Sequence, residues 1–207
     1  MFRSAWARRL GAVAATVWLA GAAPTAAEEI RDWPCSLPLA ERFVAEDVWG
    51  GALPAPLPAD WRSNAAAAEV VAFAANPENA PAAGEARIAA FADRLGAERQ
   101  AALLDVFAGL LEQFDALRGY LIDGVRDFVI RAKILQGAID KNKAALAALP
   151  ADGGTEAEQL RNGYREARAF DARNQDDALE EAEFLCLRYS YLDHKLHRLA
   201  AALRASL

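Results

Sequence analysis

Among the potentially reactive residues of this 207-residue chain, the two cysteines, Cys35 and Cys186, have the chemistry that is easiest to predict. They lie 151 positions apart, and neither belongs to a C-x-x-C redox pair or a C-x-x-C-H haem-attachment motif. We therefore expect one structural disulfide, with free or catalytic thiols as the alternative. In the chain-entropy model, closing so long a loop stabilises a fold by about 5 kcal/mol.

The two histidines, His194 and His197, are three residues apart, a spacing that places both imidazoles on one side of a helix. With a carboxylate from Asp193 or Glu183 they form a candidate zinc or copper site. However, the apolar stripe of this helix passes through Leu192, about 200° around the helix from His194. Because two ligands on an exposed face bind metals weakly, we expect no dedicated metal site and no cofactor. The His194/His197 face remains the alternative.

Motifs for catalysis are missing from the sequence. No serine stands in a recognisable motif with a histidine and an acid, and no G-x-G-x-x-G or G-x-x-x-x-G-K phosphate-binding loop occurs. The sequence therefore predicts a protein that is not an enzyme.

Two groups of residues are candidates for contact with a protein partner. Asp171, Asp176, Asp177 and Glu180 form an acidic stretch, and the alternative interpretation is a solvated helix face. The other group consists of the tryptophans in and near the proline-rich N-terminal segment, which are Trp33, Trp49 and Trp61. The alternative interpretation is that they cover the end of a small helical core.

The first 27 residues have the order of a secretory signal peptide. Three arginines among the first nine residues precede an apolar run over 10–23, and small residues follow up to Ala27. Arginine greatly outnumbers lysine and alanine is abundant, which is typical of a GC-rich bacterial genome. We therefore expect a periplasmic protein, cleaved near Ala27, with no membrane span in the mature chain. Its formal charge of −6 argues against nucleic acid as a partner.

The mature chain divides into an irregular arm and a helical domain. Trp- and Pro-rich residues 28–58 form the arm, in which a short helix is expected over 39–48, and residues 59–207 form the domain. Asp60 is a candidate N-cap for a helix over 61–75, and a second short helix is expected over 83–95.

Apolar residues recur at intervals of three and four over 97–149 and 155–205, with a turn between. This predicts an all-α fold, a long antiparallel helical hairpin resembling a coiled coil, with two or three short N-terminal helices. Thr155 and Glu158 form a candidate capping box, and a helix break near Gly119 and Gly124 is left open. Folding about residue 152 would place the acids of 171–178 opposite the basic segment 126–133.

Asp32-Trp33-Pro34-Cys35, Val48-Trp49-Gly50 and the late Cys186 resemble a group of exported proteobacterial helical proteins without assigned activity. The resemblance covers most of the mature chain and implies a periplasmic helical protein, with no catalytic residues to transfer. We expect a non-enzymatic accessory protein that binds a periplasmic or envelope partner, with a metal- or stress-responsive binding protein as the alternative. Helices with a heptad pattern also pack against helices of another chain, so a homodimer is a further alternative.

Overall fold

The computed structural model describes residues 33–207, which lie within one compact unit of the chain, Asp32–Leu207. The predicted signal peptide, residues 1–27, and the first residues of the arm lie outside the described residues. Residues 33–207 form helices and no strands, which confirms the predicted all-α class. The helices are α1 (Ala45–Trp49), a 3-10 turn (Trp61–Ser63), α2 (Ala65–Ala75), α3 (Pro81–Ala92), α4 (Arg99–Ala148) and α5 (Gly154–Ala205).

Helices α4 and α5 form the predicted long hairpin. Each has about 50 residues and is therefore roughly 75 Å long. Helix α4 runs without interruption through Gly119 and Gly124, so the helix break left open by the sequence does not occur. At Gly124 the missing side chain has a packing role, because an added Cβ would lie 2.8 Å from Leu185 Cδ1 of α5.

Two predicted helix starts are wrong. Asp60 makes no side-chain cap; a 3-10 turn begins at Trp61 instead, and Asn64 caps α2 by accepting a hydrogen bond from the Ala67 N–H at 3.1 Å. The Thr155–Glu158 capping box does not form, because α5 already begins at Gly154 and Thr155 lies inside its first turn. The residue before α5 is Gly153, which has no side chain to cap the helix.

The main core lies at the end of the hairpin that contains the chain's C-terminus. Helix α2 packs on α4, and α3 packs on α5. Fully buried side chains from all four helices meet there, among them Val70, Ile88, Phe107, Phe114, Leu196 and Leu199. Farther along the hairpin the seam is narrower and relies on small residues such as Ala132, Ala178 and Ala182. The distal half is therefore a two-helix projection with a thin core.

The hairpin register differs from the expected one. Folding about residue 152 would place Gln175 opposite residue 129, but Gln175 donates to Gln136 Oε1 at 2.9 Å. At the turn, the Arg161 guanidinium donates to the carbonyls of Pro150 and Ala151, so the first two turns of α5 lie beyond the end of α4. This overhang shifts the pairing, and Asp171 lies beside Asn142 instead of opposite the basic segment 126–133.

Candidate functional site

The arm is fastened to the hairpin by the Cys35–Cys186 disulfide, which confirms the predicted bond. The two Cα atoms are 5.1 Å apart, and Cys186 lies near the middle of α5. Because Cys35 belongs to the arm and Cys186 to α5, the bond holds the arm against the hairpin.

Tyr189, one turn after Cys186, organises the same part of the arm. Its ring packs edge-on against Trp33 with centroids 5.4 Å apart. Its hydroxyl donates to Pro38 O at 3.1 Å and accepts a hydrogen bond from the Ala40 N–H at 3.2 Å. Trp33 is half-buried, and its indole N–H donates to Leu37 O. The structure therefore gives Trp33 a role in closing the arm onto α5.

A buried arginine completes this attachment, and the sequence analysis missed it. Arg118 of α4 is 5% exposed and lies between the rings of Phe43 (3.8 Å) and Tyr189 (4.9 Å). It donates to Asp193 Oδ1 at 3.1 Å, so its charge is paired. Arg118 is four residues after the buried Phe114, and that helical spacing was the signal that could have revealed it.

The second candidate tryptophan, Trp49, belongs to the core. It is 4% exposed and packs on Phe107 with ring centroids 4.8 Å apart. The third candidate tryptophan, Trp61, is also buried and donates its indole N–H to Glu112 at 2.9 Å. Hydrogen bonds from Arg62 and then from Trp61 lower the pKa of Glu112 to about 2. Neither tryptophan offers a surface for a partner.

The histidine pair lies on the surface, as expected. Both side chains are exposed, and His197 Nε2 lies 3.7 Å from Asp193 Oδ2. That carboxylate is already bound by Arg118, whose positive charge opposes the approach of a metal ion. Within residues 33–207 no three histidine, cysteine, aspartate or glutamate side chains come together in a way that could hold a metal.

The acidic stretch is divided between the seam and the solvent. Asp171 is half-buried and accepts a hydrogen bond from Asn142 at 3.3 Å, which gives it a structural role. Asp176, Asp177 and Glu180 are all exposed. We call the solvent-facing carboxylates Asp176, Asp177, Glu180 and Glu181 the acidic face of α5.

An exposed aromatic side chain borders the acidic face. Phe184 is 52% exposed, and together with Asp177, Glu180 and Glu181 it lines one open hollow on the surface. These four residues are at positions i, i+3, i+4 and i+7 of α5, which places them on one side of the helix. The hollow can contact an apolar side chain while its carboxylates pair with cations.

The chain matches no protein-family model, and comparisons with curated proteins and with solved structures found no significant match. Along the part of the chain that the structure describes, no helix combines the length and apolarity needed to cross a membrane. The residues and their geometry are therefore what indicates the function.

Proposed function

We propose that the protein is a non-enzymatic, exported accessory protein of the bacterial periplasm. It uses the acidic face of α5 and Phe184 to bind a basic segment of an envelope protein. The observation that carries this proposal is the hollow in which an exposed phenylalanine stands among three exposed carboxylates.

The chemistry of the hollow defines the partner. Carboxylates on a helix surface attract arginine and lysine and raise the rate of association. Phe184 adds apolar area, and aromatic residues carry a large share of the binding energy in interfaces. The matching segment is therefore basic with at least one large apolar side chain. A distal hairpin that projects from the core presents this face to such a segment.

The disulfide supports the proposed compartment. Disulfides form and persist in oxidising compartments such as the bacterial periplasm and are rare in the cytosol. The predicted signal peptide and the resemblance to exported proteobacterial proteins agree with this assignment.

The test begins with affinity purification from the native periplasm, followed by binding measurements on the purified co-isolated protein. The informative variant is Asp177→Lys with Glu180→Lys. Its matched control is Glu156→Lys with Glu158→Lys, which makes the same change in net charge on exposed residues near the hairpin turn. Only the first pair alters the hollow.

We expect the first pair to weaken binding at least tenfold and the control pair to change it little. We also expect Phe184→Ala to weaken binding, since it removes the apolar contact. Equal loss in both charge-reversed pairs would indicate general electrostatic attraction, and unchanged binding in the first pair would show that the acidic face is only solvated. Either result contradicts the proposal.

The two alternatives are separated by measurements on the same sample. A homodimer predicts a concentration-dependent mass in light scattering. The metal-binding alternative predicts that zinc or copper raises the melting temperature and that His194→Ala with His197→Ala removes the increase.

A further inference from the structure

A separate cleft lies where the end of α2 meets the hairpin. Its base is apolar and well buried: Leu121 of α4 and Leu192 of α5 are each 7% exposed, as is Ala75 at the end of α2. Leu117 and Leu185 form half-buried walls. The cavity volume is about 220 Å³.

The charged side chains that line this cleft are all positive. Arg188 stands at its edge, and Lys195, which is 1% exposed, forms part of its wall. Two tyrosines, Tyr120 and Tyr191, add hydroxyl groups, and no carboxylate is among the lining residues. In a chain with a formal charge of −6, this is a local reversal of charge.

Both cations have geometry that leaves capacity for an anion. Lys195 Nζ donates to Asn76 O at 2.7 Å and to Asn79 O at 2.8 Å. A protonated lysine has three N–H donors, so one remains. The Arg188 guanidinium carbon is 5.9 Å from the centre of the Phe184 ring, at the outer limit of a cation–π contact. The Arg188 side chain can therefore turn toward the cleft with little loss of cation–π interaction energy.

The volume sets the size of the ligand. An apolar cavity of about 150 Å³ holds benzene. The cleft therefore has room for one aromatic ring with a short acidic group, and it is too small for most drug-sized molecules, whose pockets start at about 300 Å³.

We propose that this cleft binds a small organic carboxylate with an apolar body the size of an aromatic ring. The ring lies against Leu121 and Leu192, and the carboxylate is held by Arg188 and Lys195. Tyr191 at the edge covers one face of the ligand. The acidic face lies on an earlier part of α5, and Phe184, which borders it, is the point at which the hollow and the cleft come closest, through Arg188.

Phenylacetate is a suitable probe, and its uncharged isostere phenylacetamide is the control for charge. Binding to the purified chain is followed by calorimetry near neutral pH and by chemical-shift changes of the leucine methyl groups. We expect saturable binding of phenylacetate with shifts centred on Leu121 and Leu192, and at least tenfold weaker binding of the amide.

The protein variants are Arg188→Gln and, as its matched control, Arg173→Gln, an exposed arginine of the same helix that does not line the cleft. Arg188 is exposed, so its replacement should leave the melting temperature unchanged. We expect about tenfold weaker phenylacetate binding only in Arg188→Gln, because a hydrogen bond between charged groups is lost.

Any of the following results would overturn the proposal. The first is no saturable binding at millimolar phenylacetate, and the second is equal affinity for the acid and the amide. The third is methyl shifts that lie away from the cleft, and the fourth is equal affinities of the two arginine variants.

Discussion

Replacing glycine by alanine at two positions of α4 should change stability in opposite directions. Gly109 lies in the core, where an added Cβ would be 2.7 Å from Val71 Cγ2 and 2.8 Å from Trp61 Cε3. Gly137 lies in the distal half of the same helix, and an added Cβ would meet nothing within 4 Å. The same substitution in one helix therefore separates helix propensity from packing.

The expected magnitudes follow from these distances. Alanine is more favourable than glycine inside a helix by about 1 kcal/mol, and this gain applies at both positions. At Gly109 the new methyl group overlaps two buried side chains, Val71 (1% exposed) and Trp61 (5% exposed), which cannot move into solvent. Overpacking of this kind destabilises by typically ~1–3 kcal/mol. Gly109→Ala should therefore reduce the free energy of unfolding by up to about 2 kcal/mol, and Gly137→Ala should raise it by about 1 kcal/mol.

Urea denaturation followed by far-UV circular dichroism measures both free energies, and tryptophan fluorescence reports on the surroundings of Trp61. For a chain of this size, 1 kcal/mol corresponds to a shift of about 2–4 °C in melting temperature. If Gly109→Ala proves as stable as Gly137→Ala, that result would contradict the close packing of α2 and the 3-10 turn against α4.

Three further predictions concern the arm and its surroundings. Replacing Cys35 and Cys186 together by serine should lower the free energy of unfolding by up to about 5 kcal/mol, because it opens a loop spanning 151 positions. Urea denaturation measures this loss, and a loss below about 1 kcal/mol would contradict the loop-closure argument. Tyr189→Phe should destabilise by about 1–3 kcal/mol, because Pro38 O loses its hydroxyl donor; an unchanged melting temperature would show that this hydrogen bond contributes nothing. The pKa of Glu112 is lowered from 4.5 to about 2, so the contribution of this carboxylate to stability is complete above pH 4.5 and is lost as the pH falls toward 2. The difference in free energy of unfolding between the wild type and Glu112→Gln should therefore shrink as the pH falls across that interval. A difference that stays constant would refute the pKa shift.

The helical hairpin and the disulfide could be predicted because each depends on a simple sequence signal. Spacings of three and four along 97–149 and 155–205 correspond to one buried side of a helix, whatever packs against it. The two cysteines left a single choice of pairing within the chain. The capping residues and the register could not be predicted, because both depend on how the helices pack and not on the local sequence alone. The overhang at Arg161 then decided the pairing.

The candidate sites were predicted less completely, since exposure depends on what lies opposite each residue. Asp177 and Glu180 are exposed and Trp49 is buried, although all three were candidates for contact with a partner. The apolar cleft was not foreseen. Its lining comes from three separate segments, Ala75 and Pro77 near the end of α2, α4 around Leu121 and α5 around Leu192.

The sequence by itself determined that residues 97–149 and 155–205 form long amphipathic helices joined by a short turn, because helical periodicity is a local property of the chain. Only the tertiary structure decided which charges are buried and paired, as with Arg118 and Asp193, and which stay in solvent, as on the acidic face. Burial of a charge depends on desolvation and on the distance to a partner 75 positions away, and no local pattern contains that information.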